Sequence, residues 1–242
     1  MIEIKNLIKF FDKHIVLHGI TMRIPKGEIV SLLGPSGSGK TTFLRLLLGA
    51  IPADDGEIFI EGIRMPNLKM LNKIGYMPQN DALYDNLSAI DNLRFFGGIY
   101  DINKNILDER IDNALTLVGL TDDKDKLVSK FSGGMKKRLS LAIATLPNPD
   151  LMLLDEPTVG IDPVLRRSIW NRFKEWKNEG KTLIVSTHVM DEVAICDKAA
   201  LIRDGRIIAY DAVSSLIKNT KSGNIEEIFY DSNLDSSKGG EL

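Results

Sequence analysis

The sequence predicts an α/β fold in which helices cover both faces of a mainly parallel sheet. Three observations carry that expectation. The aliphatic run Leu151-Met152-Leu153-Leu154, closed by Asp155, reads as a buried strand. Strand-like segments alternate with segments of helical spacing at both ends of the chain. Between residues 80 and 146 the pattern turns helical, which marks an α-helical insert in the α/β frame. At 242 residues the chain is about one and a half times a typical ~150-residue domain, enough for a sizeable core.

In order, residues 2–7 and 15–24 read as strands around an Asp-Lys-His turn, and 27–33 is a β-branched run that ends at a glycine. After Lys40, Phe43, Leu44 and Leu47 share one helical face, with Gly49 as the stop. Residues 57–62 and 73–77 form short strands, and helices follow at 86–96, 105–118 and 133–146. Strands return at 151–155, 182–187, 199–203 and 206–209, interleaved with helices at 163–178 and 190–196. In residues 224–230, Ile225, Ile228 and Phe229 have helical spacing and dock on the core or on a partner; the polar residues 231–242 read as a mobile tail.

Composition removes several classes. With 31 basic and 33 acidic side chains the net charge is −2, so no overall basic field points to nucleic acid and any anion site must be local. The chain is 43% hydrophobic and 26% charged, as soluble globular proteins are. Cys196, the one cysteine, excludes an internal disulfide and fits a reducing compartment. No uninterrupted apolar run of about 18 residues occurs and the start lacks a signal-peptide pattern, so a cytoplasmic location is expected. A role at a membrane then needs another polypeptide to supply the span. Each motif below occurs once.

Gly34-Pro35-Ser36-Gly37-Ser38-Gly39-Lys40-Thr41 fits the phosphate-binding loop G-x-x-x-x-G-K-[ST], between the strand and the helix that the motif requires. Glycines let successive backbone N–H groups turn inward around phosphate oxygens, and the helix points its positive end at the same anion. Lys40 is expected to reach the β- and γ-phosphates and the Thr41 hydroxyl to ligate Mg²⁺; Thr42 completes the binding set. A second signal is Asp155-Glu156 at the carboxyl end of a buried strand, where α/β sheets bind ligands. Successive strand residues face opposite sides, so the pair divides the work. Asp155 holds Mg²⁺, directly or through water, and Glu156 orients and deprotonates the attacking water; a solvated strand end or a helix cap is the alternative.

The segment Phe131-Ser132-Gly133-Gly134-Met135 precedes that strand. With the phosphate loop and the carboxylate pair, it resembles the signature of the ATP-binding subunits of ABC transporters, over residues 1–220. The resemblance implies a P-loop NTPase fold with a RecA-like, mainly parallel core at residues 1–79 and 147–220. It adds an antiparallel β subdomain, a helical signature subdomain at 80–146 and a short C-terminal segment at 221–242. It also implies ATP and Mg²⁺ as cofactors. Independently, two glycines opening a helix expose free N–H groups, and the Ser132 hydroxyl is a third donor. Lys136, Lys137 and Arg138 oppose the helix dipole in the first turn, so helix stability does not explain them; the alternative is a solvated basic face.

By the same resemblance, Gln79 contacts Mg²⁺ beside the region that meets the membrane subunit. Gly160-Ile161-Asp162 communicates across a dimer, although Asp162-Pro163 would also cap a helix. His188 senses the γ-phosphate and Phe11 stacks on adenine, with Phe10 adjacent and either one a possible core residue. The phosphate loop of one copy faces the Ser132, Gly133 and Gly134 of another, so two ATP molecules lie between two ATP-binding subunits, as homodimer or heterodimer. A separate membrane-spanning subunit docks on residues 81–100, whose Leu83, Tyr84, Leu87, Phe95 and Phe96 also serve the insert's own core. That places the protein on the cytoplasmic face of the cell membrane.

Phe131 and Met135 replace the more usual leucine and glutamine. Together with residues 158–163 and 86–96, they look like the branch of exporters that handle drugs, lipids, polysaccharides or peptides. Alternatives are a soluble ATPase of the same family acting on ribosomes or DNA, or a nucleotide-gated regulatory module with little turnover. No nucleic-acid partner is expected.

Overall fold

The computed structural model describes residues 1–80 and 82–230. The chain opens with an antiparallel hairpin of β1 (Ile2–Phe11) and β2 (His14–Ile24), then crosses to β3 (Ile29–Leu33), which feeds α1 (Lys40–Leu48). Next come β4 (Asp55–Ile60), β5 (Ile63–Arg64), the single turn α2 (Leu68–Leu71) and β6 (Ile74–Met77). Three helices follow without an intervening strand: α3 (Ala89–Ile99), α4 (Lys104–Leu117) and α5 (Gly133–Thr145). β7 (Leu151–Asp155), α6 (Pro163–Asn178), β8 (Thr182–Thr187), α7 (Met190–Val193), β9 (Lys198–Arg203) and β10 (Arg206–Ala212) then alternate. α8 (Val213–Lys218) and α9 (Glu227–Tyr230) close the described chain.

Two sheets result. One is antiparallel, in the order β2-β1-β4-β5; the other runs β10-β9-β3-β8-β7-β6. In the second, β9, β3, β8, β7 and β6 are parallel neighbours and β10 is an antiparallel edge. β3, β7 and β8 are buried along their whole length, because helices cover one face and α1 with the antiparallel sheet covers the other. Alternation by two residues divides each strand between two cores. Leu151 and Leu153 pack with α1 and the antiparallel sheet, whereas Met152 and Leu154 pack with the helical layer. β8 repeats the pattern, with Ile184 in the first core and Leu183 and Val185 in the second.

The helices are placed by their caps and apolar stripes. α1 buries Phe43, Leu44 and Leu47 as its spacing predicts, and Gly49 closes it in the left-handed region at φ 77°. α6 buries Ile169, Trp170, Phe173 and Trp176 on one stripe. α3 begins later than the sequence pattern suggests, because the Ser88 side chain accepts the Asp91 N–H at 3.2 Å and so caps the helix there. Asn92, fully buried, donates to the carbonyls of Tyr84 and Ser88 and accepts the Tyr84 N–H, which fastens the preceding loop to α3. Leu83 and Phe96 pack on the core from this region, while Tyr84 and Phe95 stay exposed with ring centroids 4.6 Å apart.

Ile225 and Ile228 are buried against the helical layer's core, and Arg203 donates to the Phe229 carbonyl at 2.7 Å, so this short segment docks on the chain itself. The expected tail, residues 231–242, lies outside the described residues. Among the described residues, no helix is long and apolar enough to cross a membrane.

Candidate active site

The loop between β3 and α1 wraps around the helix N-terminus, and its glycines are required by close approach. A Cβ on Gly34 would stand 2.2 Å from the Ile202 carbonyl oxygen, and one on Gly39, at φ 104°, would stand 2.7 Å from Leu17 Cδ2. Gly37, also left-handed, has open space beside it. The Ser38 hydroxyl is buried and, among the described residues, has no hydrogen-bond partner. An orphaned donor in a concave loop of backbone N–H groups suits a phosphate oxygen. Lys40 is buried, with Nζ donating to the carbonyls of Gly34 at 2.7 Å and Pro35 at 2.9 Å. Burial pulls its pKa below the ordinary lysine value, opposed by the carboxylates of Glu156 and Asp155.

Three oxygen groups meet beside this loop. The Thr41 hydroxyl donates to Asp155 Oδ2 at 2.6 Å and lies 3.4 Å from Gln79 Oε1. Asp155, at the end of β7, is buried, and its Oδ1 accepts the Ser186 hydroxyl from β8. A hydroxyl, an amide oxygen and a single carboxylate are hard donors that fit Mg²⁺ and leave positions for water or phosphate oxygens.

Glu156 is not part of the strand. Its backbone is left-handed at φ 51°, and its N–H donates to the Ser186 hydroxyl at 2.9 Å and to the Ser186 carbonyl at 3.2 Å. The two carboxylates therefore part because the chain leaves the pleat at Glu156, not through strand alternation. A non-glycine residue there is strained by about 1–3 kcal/mol, which the surrounding contacts must sustain. Glu156 Oε1 lies 3.2 Å from His188 Nδ1, and the imidazole is 56% exposed. Either group is thus within hydrogen-bond reach of the other and of solvent.

The structure brings Gly34–Thr41, Gln79, Asp155, Glu156 and His188 together at the carboxyl edge of β3, β7 and β8; Thr42 continues α1 from the same loop. Among the described residues, Ser132, Gly133 and Gly134 make no hydrogen bond to residues 34–42 of the loop. Ser132 caps α5 by accepting the Met135 N–H at 3.2 Å, with Ser132 and Gly133 exposed. The basic residues that follow are partly explained. Lys136 pairs with Asp85 at 2.7 Å, and Arg138 donates to the carbonyls of Val118 and Gly119 at the end of α4. A Cβ on Gly134 would stand 3.1 Å from the Gly160 carbonyl, so this helix start adjoins the loop that leads to α6. Asp162 caps α6, accepting the Val164 and Leu165 N–H groups. Phe11 and Phe10 are both exposed, so neither is a core residue, and Lys9 Nζ lies 5.4 Å from the Phe11 ring centroid.

Sequence reasoning missed Ser186, which joins the two carboxylate positions, and Glu192, a buried acid bonded to Thr158 and Thr187. Ser186 adjoins Thr187 and His188, so adjacency to a candidate residue was its one available signal.

The chain matches the family model described as ABC transporter over residues 17–159. It is 37% identical over 219 residues to the linearmycin resistance ATP-binding protein LnrL of Bacillus subtilis (strain 168), covering 89% of this chain and 70% of that protein. It is 35% identical over 236 residues to the Nod factor export ATP-binding protein I of Cupriavidus metallidurans, covering 96% and 77%. Among solved structures, an ATP-binding subunit of an ABC transporter superposes with a TM-score of 0.87 at 25% identity, covering 98% of this chain and 100% of that one. A dimeric ATP-binding cassette in a post-hydrolysis state with ADP and Pi gives 0.82 at 26% identity, covering 88% and 98%. The loop geometry, the paired acids and these similarities lead to one conclusion: the chain belongs to the ABC transporter family, as one of its ATP-binding, ATP-hydrolysing cassettes.

Proposed function

We propose that this cassette powers an exporter, closing on a second ATP-binding subunit when ATP is bound and opening when it is cleaved. The observation that carries this reading is the meeting of Lys40, Thr41, Gln79, Asp155, Glu156 and His188 at one sheet edge. Relatives named for Nod factor export and linearmycin resistance support the export direction.

The backbone N–H groups of residues 34–42 and the Ser38 hydroxyl bind phosphate oxygens, and Lys40 exchanges its two carbonyl contacts for the β- and γ-phosphates. Thr41, Gln79 and Asp155 would hold Mg²⁺, which neutralises phosphate charge when bound. Glu156 takes the proton of the attacking water, for roughly 10²–10⁴-fold in rate. His188 hydrogen-bonds Glu156 on one side and lies open to the γ-phosphate on the other. Phe11 offers a ring face to adenine. Ser132, Gly133 and Gly134 present their donors to nucleotide held by the partner subunit, and Asp162 lies on the loop that meets that partner. The exposed Tyr84 and Phe95 rings form part of the dock for a separate membrane-spanning subunit, which would hold the cassette at the cytoplasmic face of the membrane.

The test is Glu156→Gln. The variant should bind MgATP, release phosphate at less than about one hundredth of the wild-type rate and accumulate as a dimer with ATP. Lys40→Ala should lose nucleotide affinity. Wild-type turnover by Glu156→Gln, or a monomer under saturating ATP in the presence of the membrane subunit, would refute the scheme.

A further inference from the structure

Glu192 is a buried acid that the scheme above does not use. It lies in α7, 3% exposed, and among the described residues no lysine or arginine pairs with it. A carboxylate withdrawn from water without a cation is costly, and an apolar side chain of similar volume would fill the site without that penalty. Two hydroxyls offset the cost. Thr158 Oγ1 donates to Oε1 at 2.5 Å and Thr187 Oγ1 donates to Oε2 at 2.5 Å. Both threonines are themselves buried. Each carboxylate oxygen thus accepts one hydroxyl, and short bonds of this kind to a carboxylate are directional.

The two threonines flank different parts of the candidate machinery. Thr187 immediately precedes His188, whose ring meets Glu156, and its hydroxyl also accepts the Val189 N–H at 3.0 Å. Thr158 lies between Glu156 and Asp162, in the loop whose Gly160 carbonyl faces Gly134. One side chain thus spans the segment beside the signature helix and the segment that carries the histidine.

We infer that Glu192 is a positioning residue: by holding Thr158 and Thr187 on its two oxygens, it clamps the 157–162 loop to the His188 segment, so that displacement of one is felt by the other. The inference rests on the roles proposed for Glu156 and His188.

Glu192→Gln keeps the length but offers one acceptor oxygen in place of two. Its kcat for ATP should fall at least about tenfold with KM changed less than about threefold, since a small misplacement of catalytic groups costs rate more than substrate affinity. Thr158→Val and Thr187→Val should each lower kcat similarly, should not add to one another or to Glu192→Gln, and should be restored by serine at the same positions. A second measurement is independent of turnover. In Thr158→Val, hydrogen exchange at the Val189 amide should quicken at least about fivefold, although the substitution lies on the other loop. Independent, additive effects of the two threonines, or an unaltered Val189 amide in Thr158→Val, would overturn the clamp. Should Glu192→Gln fail to fold, the threonine variants decide alone. Glu156→Gln in parallel separates the two ideas: if it turns over normally the underlying scheme falls, and if it is inactive while Glu192→Gln is normal the clamp alone falls.

Discussion

Ser186→Ala removes one oxygen from the centre of the site, and its effect can be worked from the contacts. The Ser186 hydroxyl donates to the buried Asp155 carboxylate and accepts the Glu156 N–H. A hydrogen bond to a charged group contributes about 1.5–3 kcal/mol. Asp155 keeps the Thr41 hydroxyl at 2.6 Å, and the Glu156 N–H keeps the Ser186 carbonyl at 3.2 Å, so neither group is left bare. The lower part of that range, about 2 kcal/mol, is therefore expected, or a fall of about 4–8 °C in Tm for a chain of this size. Function should suffer more than stability. The hydroxyl orients a side chain in the candidate Mg²⁺ site from behind, and loss of such outer contacts costs about 10–100-fold in metal affinity or activity. Calorimetric unfolding gives the first number; ATP turnover titrated with Mg²⁺ gives the second, as a raised Mg²⁺ requirement that excess metal partly restores. A Tm within about 1 °C of wild type together with an unchanged Mg²⁺ titration would refute the reasoning.

Other outcomes follow from the same geometry. Gly34→Ala places a methyl 2.2 Å from the Ile202 carbonyl and 2.8 Å from Ser38 Oγ, and because backbone cannot yield as a side chain can, nucleotide binding measured by fluorescence titration should be lost, with stability down by about 1–3 kcal/mol or more. Phe11→Tyr should bind ATP as wild type does while Phe11→Ala weakens it, and GTP should compete, since a ring face reads no donors or acceptors; absolute rejection of GTP would contradict this. Burial pushes the Cys196 thiol up to about 12, from 9.0 in the unfolded chain. The folded state thus holds a proton that the unfolded chain releases, so this group favours unfolding as pH rises from 9.0 towards 12. Cys196 should resist a thiol reagent at pH 8 in the folded protein and react once denatured.

Much of this architecture is legible in the sequence, for identifiable reasons. Residues 151–155, 163–178 and 182–187 match their elements to the residue, because fully buried strands leave an uninterrupted apolar run and Asp162-Pro163 announces a helix start. The hairpin strands are longer than their apolar pattern predicts: β1 runs to Phe11 rather than residue 7, with buried positions interrupted by exposed ones along a bulged register. The phosphate loop, Asp155, Glu156 and His188 could be found because each sits in a contiguous motif. Ser186 and Glu192 are harder to find, because Ser186 meets Asp155 and Glu156, and Glu192 meets Thr158, across about thirty positions, and no local pattern records such pairings. The left-handed turn at Glu156 was equally hidden, since glutamate gives no hint of positive φ.

The division of β7 between two cores makes that strand intolerant of insertion or deletion. One residue more or less before Leu153 would send Leu153 and Leu154 to each other's side of the sheet and would move Asp155 off the level of Thr41 and Ser186. Substitution of one aliphatic residue by another leaves that count intact. The spacing of five positions, more than the identity of the first four, is what sets an acid between Thr41 and Ser186.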